Sequence, residues 1–260
     1  MINALYAIPA WLLLCFACAV AVAVAVGGQT WVHRRFSMVD FIQHNEVGGF
    51  TIAVVGTLYA VIVAFVVAIV WQEYDASQTR VGIEAAAGAT VWHTAAGLPG
   101  PLGVRTRARM VAFARTMLSD EWPQMRHGGE SLRGEALVVG ALDDLARFRP
   151  RNLGEANVQA QLLDRVEALH DARHQRLQDN ASGVSWFEWL VLIAGAAVVI
   201  GFCYLFGLQS QRVHQLMTAA LAGVIALVCV LIFELDYPFR GDLAISPEPW
   251  RTFLRSIGAL

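Results

Sequence analysis

Four long apolar runs constrain the fold of this chain more than any other feature of its sequence. A helix needs roughly 20 residues, within a range of about 17–25, to cross about 30 Å of hydrocarbon. Runs of this size lie at Leu5–Val26, Phe50–Trp71, Trp186–Leu208 and Leu216–Phe233. Their interiors carry no charge, since Glu188 is confined to the first turn of the third run. The sequence therefore predicts an all-α integral membrane protein with four transmembrane helices.

The composition agrees with a membrane protein and argues against other classes. Hydrophobic residues make up 57% of the 260, more than a soluble domain usually contains. The net charge of −2 gives no sign of nucleic-acid binding. All 19 of the Lys and Arg residues are Arg. We interpret this bias, together with the abundance of Ala and Val, as that of a GC-rich bacterial genome.

The apolar runs form two pairs with a polar insert between them. The first helix pair occupies residues 1–71, the insert 72–185, the second helix pair 186–236, and a C-terminal tail 237–260. Apolar residues recur at helical spacing in the insert, between turns rich in Pro and Gly, so we predict a small helical bundle. Its helices are predicted over 73–96, as a continuation of the second span, and over 104–122, 132–148 and 158–177.

Arginine residues near the ends of the spans indicate the orientation, because cytoplasmic loops carry an excess of Arg and Lys. The side that holds the insert and both termini has Arg80, Arg173, Arg176 and Arg240, whereas the other side has Arg34, Arg35 and Arg212. We therefore expect a multi-pass protein of the bacterial inner (plasma) membrane, with a cytoplasmic insert and cytoplasmic N- and C-termini.

The second span carries two stripes with different implications. The small residues at helical spacing are Gly49, Ala53, Gly56, Ala60, Ala64 and Ala68. The bulkier face comprises Thr51, Val55, Leu58, Ile62 and Phe65, followed by Ile69. Small stripes let helices pack closely in lipid, so the bulky face can simply contact lipid. If copies of this span surround a common axis, the bulky face instead lines a hydrophobic constriction that gates a pore. Thr51, Val55, Leu58, Ile62 and Phe65 are therefore the candidate pore-lining or gate residues.

Acidic residues gather at the ends of three spans, on the side of the insert. The candidates for an ion mouth are Glu73, Asp75, Glu188, Glu234 and Asp236. Carboxylates at a membrane edge are usually solvated or paired with Arg. As a ring around a symmetry axis they would concentrate cations.

A compact polar cluster, His44-Asn45-Glu46, precedes the second span. Asn or Glu can cap the incoming helix, whose N-terminus attracts negative charge. A role for His44 in ion coordination or pH sensing is the alternative.

The sequence predicts no enzyme, no metal site and no cofactor. His170 and His174 lie one helical turn apart, as in zinc proteases, but Asp171 replaces the catalytic Glu and no third ligand is evident. Cys15 and Cys18 lie inside the first span and lack a second pair of ligands. The chain has no Gly-rich phosphate loop and no nucleophile context with a paired His and acid.

Several short motifs are spread over nearly the whole chain. They are His44-Asn45-Glu46, Gly49-Phe50, Tyr59, Ala64-Phe65, Tyr74, Glu84, Glu121-Trp122-Pro123, Arg173 with Arg176, and Leu235-Asp236-x-Pro238-Phe239-x-Gly241. With these motifs the chain resembles the bestrophin-like family of bacterial and plant membrane proteins. The resemblance implies kinship to bestrophins, which are pentameric anion channels with four membrane segments. It also implies a cytoplasmic helical region between two span pairs, and a pore lined by the second span.

We therefore expect a homo-oligomeric, bestrophin-like ion channel with its pore lined by the second span, and a pentamer if the kinship holds. Its expected partners are the lipid bilayer, further copies of the chain and inorganic ions, but no nucleic acid. The competing hypothesis is a non-conducting membrane scaffold or sensor whose cytoplasmic bundle binds a partner. The conducted ion stays open, because the kinship implies an anion whereas the acidic membrane edge favours a cation.

Overall fold

The computed structural model describes residues 2–35, 45–207 and 210–260. These residues form helices and turns but no β-strand, which confirms the all-α prediction. The helices are α1 (Ile2–Leu5), α2 (Ala10–Arg35), α3 (Asn45–Thr94), α4 (Gly100–Thr116), α5 (Trp122–Met125), α6 (Leu132–Arg147), α7 (Leu153–Ala181), α8 (Trp186–Tyr204), α9 (Gln211–Asp236) and α10 (Glu248–Ser256). A 3₁₀ turn (Ala95–Gly97) follows α3, and a π-helical turn (Met117–Glu121) follows α4.

Four helical segments are long and apolar enough to cross a membrane, which confirms the predicted four spans. The four apolar runs lie in α2, α3, α8 and α9. Helix α3 continues without a break for 50 residues, from the second span into the insert. Residues 73–96 contain no proline to interrupt it, so this continuity follows from the sequence.

The packing divides the chain into two compact units. One unit, here the membrane unit, comprises residues 1–73 and 184–236, and the other, the insert unit, comprises 74–183 and 237–260. The C-terminal tail thus packs with the insert. The division into four domains made from the sequence stays a prediction.

In the membrane unit, α2 and α9 pack as antiparallel helices. Tyr6 just before α2 stacks on Phe233 near the end of α9, with ring centroids 4.4 Å apart. At the other end, the Gln215 Nε2 donates to Thr30 Oγ1 at 3.1 Å. Early residues of one helix therefore meet late residues of the other.

The second span contacts the third through one aromatic side chain. The Tyr59 hydroxyl donates to the Leu192 carbonyl oxygen at 3.2 Å. The Tyr59 ring lies directly against Gly195, where any side chain would collide with it. Gly195 therefore allows α3 and α8 to approach closely at this level.

The insert unit is a helical bundle with its own apolar core. Its fully buried side chains include Val81, Met110, Phe113, Met117, Val138, Leu145, Leu162, Leu169 and Trp250. Helix α7 begins five residues before the predicted start at residue 158, because the Asn152 side chain accepts from the Glu155 backbone N–H at 2.8 Å and caps the helix. Helix α4 begins at Gly100, and Pro101 in its first turn needs no hydrogen-bonded N–H.

Candidate functional site

The second span presents three sides within one chain. Its half-buried packing side is formed by Val55, Gly56, Tyr59, Val63, Val66, Val67 and Val70, the last of these fully buried. A bulky apolar side is exposed and consists of Phe50, Val54, Leu58, Ile62, Phe65 and Ile69. Four members of the small stripe, Ala53, Ala60, Ala64 and Ala68, are also exposed and lie beside the bulky side. The side used for packing inside the chain is thus rich in Val rather than in Ala.

The candidate pore residues differ in their exposure. Leu58, Ile62 and Phe65 are 62%, 41% and 65% exposed. Thr51 and Val55 are half-buried. The first three residues are therefore available to lipid, to a pore or to another copy of the chain, whereas the other two partly serve packing.

An apolar groove of about 440 Å³ runs beside the second span. Gly56, Ala60 and Ala64 line one wall, and residues of the third and fourth spans, such as Leu192 and Val224, line the other. The small residues leave this space open because their side chains do not fill it.

The five acidic mouth candidates have different roles. Glu73 and Asp75 are exposed. Glu188 forms a capping box with Ser185 at the start of α8. Glu234 and Asp236 are buried, and Asp236 accepts from the Val184 backbone N–H at 2.5 Å. Only Glu73 and Asp75 combine exposure with no assigned structural role.

The structure describes only the backbone of part of the polar cluster before the second span. His44 lies outside the described residues, and so do the side chains of Asn45 and Glu46. Helix α3 begins at Asn45. Capping and ion coordination by this cluster both stay predictions.

A buried cluster of charges in the insert unit was not predicted as a site. Arg173 and Arg176 lie one turn apart on α7, and both are buried. The Arg176 guanidinium binds Glu84 through Nε (2.5 Å) and Nη2 (3.0 Å), and it also binds Glu121 at 2.6 Å. Arg173 binds the other oxygen of Glu121 at 3.0 Å and contacts Glu135. We call these five residues the charge cluster.

Apolar and sulfur-containing groups surround the Arg176 end of the charge cluster, whereas the Glu135 side chain is 40% exposed. The Arg176 guanidinium lies 4.7 Å from the Trp122 ring centroid. It also donates to the Met125 sulfur at 2.6 Å. Glu84 and Glu121 are fully buried, as is the Arg176 side chain. Each nitrogen of this guanidinium donates to a group of its own unit.

Burial and charge act in opposite directions in this cluster. Burial raises the pKa of the Glu84 carboxyl above its ordinary value, and the Arg176 guanidinium opposes that shift. Burial alone would lower the pKa of Arg176, but the Glu84 and Glu121 carboxylates raise it above its ordinary value, so the guanidinium stays charged. The arrangement fixes helices together.

No group of three or more His, Cys, Asp or Glu side chains suited to a metal ion occurs among the described residues. His170 instead lies beside Glu135, with 3.8 Å between its Nδ1 and the carboxylate. The absence of a metal site from the chain stays a prediction.

Several of the motifs that carry the family resemblance meet in the insert unit. Glu84, Glu121, Arg173 and Arg176 form most of the charge cluster, although they are far apart in the sequence. The exit motif after the fourth span joins them, because Phe239 packs edge-on against Trp122 with ring centroids 6.0 Å apart. This subset of the motifs therefore helps to hold the insert unit together.

Comparison with known protein families agrees with the resemblance that the motifs indicate. The Bestrophin-like domain profile matches residues 15–250. No curated protein sequence matches the chain.

Solved structures share the fold at low sequence identity. A bacterial bestrophin homologue from Klebsiella pneumoniae, carrying an isoleucine-to-threonine substitution, superposes with a TM-score of 0.66 at 13% identity, covering 94% of this chain and 98% of that one. A second structure of a bestrophin homologue from this organism gives 0.65 at 14% identity, covering 93% and 99%. A membrane protein with a glycine-to-alanine substitution gives 0.68 at 13% identity, covering 94% and 98%. The resemblance is confirmed, and the chain belongs to the bestrophin-like family.

Proposed function

We propose that this protein is a homo-oligomeric ion channel whose pore is lined by the second span. The observation that carries the proposal is the exposed bulky side of that span, with Leu58, Ile62 and Phe65 directed away from the packing of their own chain. Copies of this side around an axis would form a hydrophobic constriction of the kind that gates by dewetting. Kinship to bestrophins supports the same arrangement and suggests five subunits.

The proposed setting is the bacterial inner membrane, with both termini in the cytoplasm. One chain supplies few polar groups along its spans, so a conducting path requires several copies. The proposed partners are therefore lipid, further copies of the chain and inorganic ions. We propose no enzymatic activity, because the buried charges of the insert unit are directed at one another.

If the bulky side forms a constriction, truncating one of its residues should change the current through the pore. Phe65→Ala is expected to raise single-channel conductance or open probability, because a smaller side chain widens and hydrates the constriction. Ile62→Ala should act in the same direction. The measurement is current across planar bilayers that contain the purified full-length protein.

Phe16→Ala provides the matched control. Phe16 lies on the first span and is 69% exposed, close to the 65% of Phe65, so its truncation should leave currents unchanged. Unchanged currents in Phe65→Ala and Ile62→Ala, with the assembly mass of the wild type, would exclude the bulky side as the pore. A monomeric mass, or silence under varied pH, voltage and calcium, would favour the non-conducting scaffold or sensor.

The exposed carboxylates predict the sign of the conducted ion. If Glu73 of each subunit lies at the mouth, the repeated negative charge attracts cations and repels anions, most strongly at low salt. In a KCl gradient the reversal potential should shift toward the potassium potential, and Glu73→Gln should reduce that shift. Asp164→Gln is the control, since Asp164 is an exposed carboxylate on α7. A wild-type shift toward the chloride potential would rule out the acidic mouth.

A further inference from the structure

Two histidines meet in the membrane unit at the end where the third and fourth spans are joined. His33 lies in the last turn of α2, and His214 lies in the first turn of α9 and is only 3% exposed. Their ring centroids are 5.2 Å apart. Histidine is the side chain whose charge ordinarily changes between pH 5 and 8, so this contact places two titratable rings side by side.

Both rings bind the end of the third span. His33 Nε2 lies 2.9 Å from the Tyr204 carbonyl oxygen, and His214 Nε2 lies 2.9 Å from the Cys203 carbonyl oxygen. These are the last two residues of α8, and the Cys203 carbonyl also accepts from the Phe206 backbone N–H at 3.4 Å, just beyond the helix. A carbonyl oxygen only accepts, so each Nε2 carries the hydrogen, and in the neutral ring Nδ1 is the site that a further proton occupies.

The surroundings accommodate one added charge but not two. The C-terminus of a helix attracts a cation, so one imidazolium is favoured beside Cys203 and Tyr204. A second imidazolium would place two positive charges in adjacent rings, which repel each other strongly in a partly buried site.

The other charged groups of these helices also disfavour the second proton. Nearest in the sequence are Arg34 and Arg35 on α2 and Arg212 on α9, all exposed. Among the described residues of α2, α8 and α9, the carboxyl groups are those of Glu188, Glu234 and Asp236, and all three belong to the opposite ends of their helices. The phenol of Tyr204, which lies close to Gly28, and the Cys203 thiol are two further titratable groups at the end of α8.

Polar side chains continue this site one turn further along the helices. Gln29 precedes His33 by four residues and Thr218 follows His214 by four, and each is 1% exposed. Because α2 and α9 are antiparallel, both residues lie on the same side of the histidine pair. The Gln29 Oε1 and the Thr218 Oγ1 make no hydrogen bond with the described residues, so both can accept one from a proton-bearing ring or from water.

We propose that His33 and His214 form a proton-binding site that takes up one proton as a pair and responds to acidity on the side of the membrane opposite the insert. The proton enters at an Nδ1 atom, no bond to carbon is made or broken, and the pair gains one positive charge. The added charge strengthens the hydrogen bond of one ring to a carbonyl at the end of α8. Repulsion then prevents protonation of the other ring. This inference does not depend on ion conduction.

The test is a histidine titration by nuclear magnetic resonance, using the full-length protein in lipid nanodiscs with labelled imidazole rings. The single variants His33→Gln and His214→Gln assign the two signals, and Gln keeps a hydrogen-bond donor for the carbonyl. His174→Gln assigns the control, because His174 is exposed on α7. Between about pH 8 and pH 5 the pair should take up about one proton rather than two, with the His174 signal as the internal reference.

The single variants show whether protonation of one histidine depends on the other histidine or only on its own burial. With His33 replaced by Gln, His214 loses its positively charged neighbour and should titrate in one complete step, and the reciprocal result is expected in His214→Gln. Two histidines that titrate together and completely with His174 in the wild type would overturn the proposal. So would a pair that stays neutral over the whole range. The wild-type titration alone decides between these outcomes if a variant fails to fold.

Discussion

Replacing Arg176 by Ala is expected to destabilise the insert unit by about 3–5 kcal/mol, because the buried carboxylates of Glu84 and Glu121 lose their shared cation. For a unit of this size, that loss lowers the unfolding midpoint by on the order of 10 °C. The measurement is thermal unfolding of the full-length protein in detergent, followed by tryptophan fluorescence.

Arg251→Ala is the control for removing an arginine. Arg251 is 45% exposed and its partner Glu248 is 47% exposed, at 3.3 Å, so this substitution should cost about 0–1 kcal/mol. The double variant Glu84→Leu with Arg176→Met should lose less than the sum of its single variants, because no isolated charge is left against apolar neighbours. An equal effect of Arg176→Ala and Arg251→Ala would contradict this account of the charge cluster.

The loss of stability caused by Arg176→Ala should also depend on pH. Burial raises the pKa of Glu84, and Arg176 is the largest influence that opposes it. Without Arg176, the folded protein protonates Glu84 at a higher pH than the unfolded chain does. The associated stability is present below the unfolded pKa and is lost as the pH rises through the folded pKa. The variant should therefore be closer to the wild type at about pH 5 than at about pH 8.

Trp250→Ala is the second substitution with a large expected effect, a loss of about 3–5 kcal/mol. Trp250 is fully buried, and its ring meets Phe113 edge-on at 5.2 Å between centroids. Truncation leaves a cavity between α3, α4 and α10. The unfolding midpoint in detergent measures the effect, with Trp186→Ala as the control because Trp186 is 77% exposed.

Gly88→Ala tests whether the cavity left by Trp250→Ala lies beside Gly88, as the structure shows. A Cβ atom at Gly88 would lie 2.7 Å from the Trp250 ring, so Gly88→Ala should destabilise the wild type. In the Trp250→Ala background the same methyl group has room and should be neutral or stabilising. Equal effects of Gly88→Ala in both backgrounds would show that the two residues are not in contact.

The sequence predicts the spans well because hydrocarbon imposes a length requirement that few other segments satisfy. The uninterrupted helix α3 is predictable for a similar reason, since no proline occurs between the second span and residue 94. The start of helix α7 is less predictable, because Asn152 caps the helix through a side-chain contact that hydrophobic spacing does not register.

The charge cluster could not be predicted from local pattern. Arg176 and Glu84 are 92 residues apart, and each looks like an ordinary charged residue on a helix that faces water. One signal was available, because both residues belong to the motifs that carry the family resemblance. On the second span, helical spacing predicts a small face and a bulky face, but it does not show that the Val-rich side is used for packing inside the chain.

In the π-helical turn at Met117–Glu121, the number of residues matters as much as their identity. The Trp122 N–H bonds to the Met117 carbonyl, five residues back, so this turn contains one residue more than an α-helical turn. Losing one residue here would return the turn to α-helical spacing and remove the local widening beside Glu121 and Trp122. The position of the Glu121 carboxylate against Arg176 therefore depends on the number of residues in this turn.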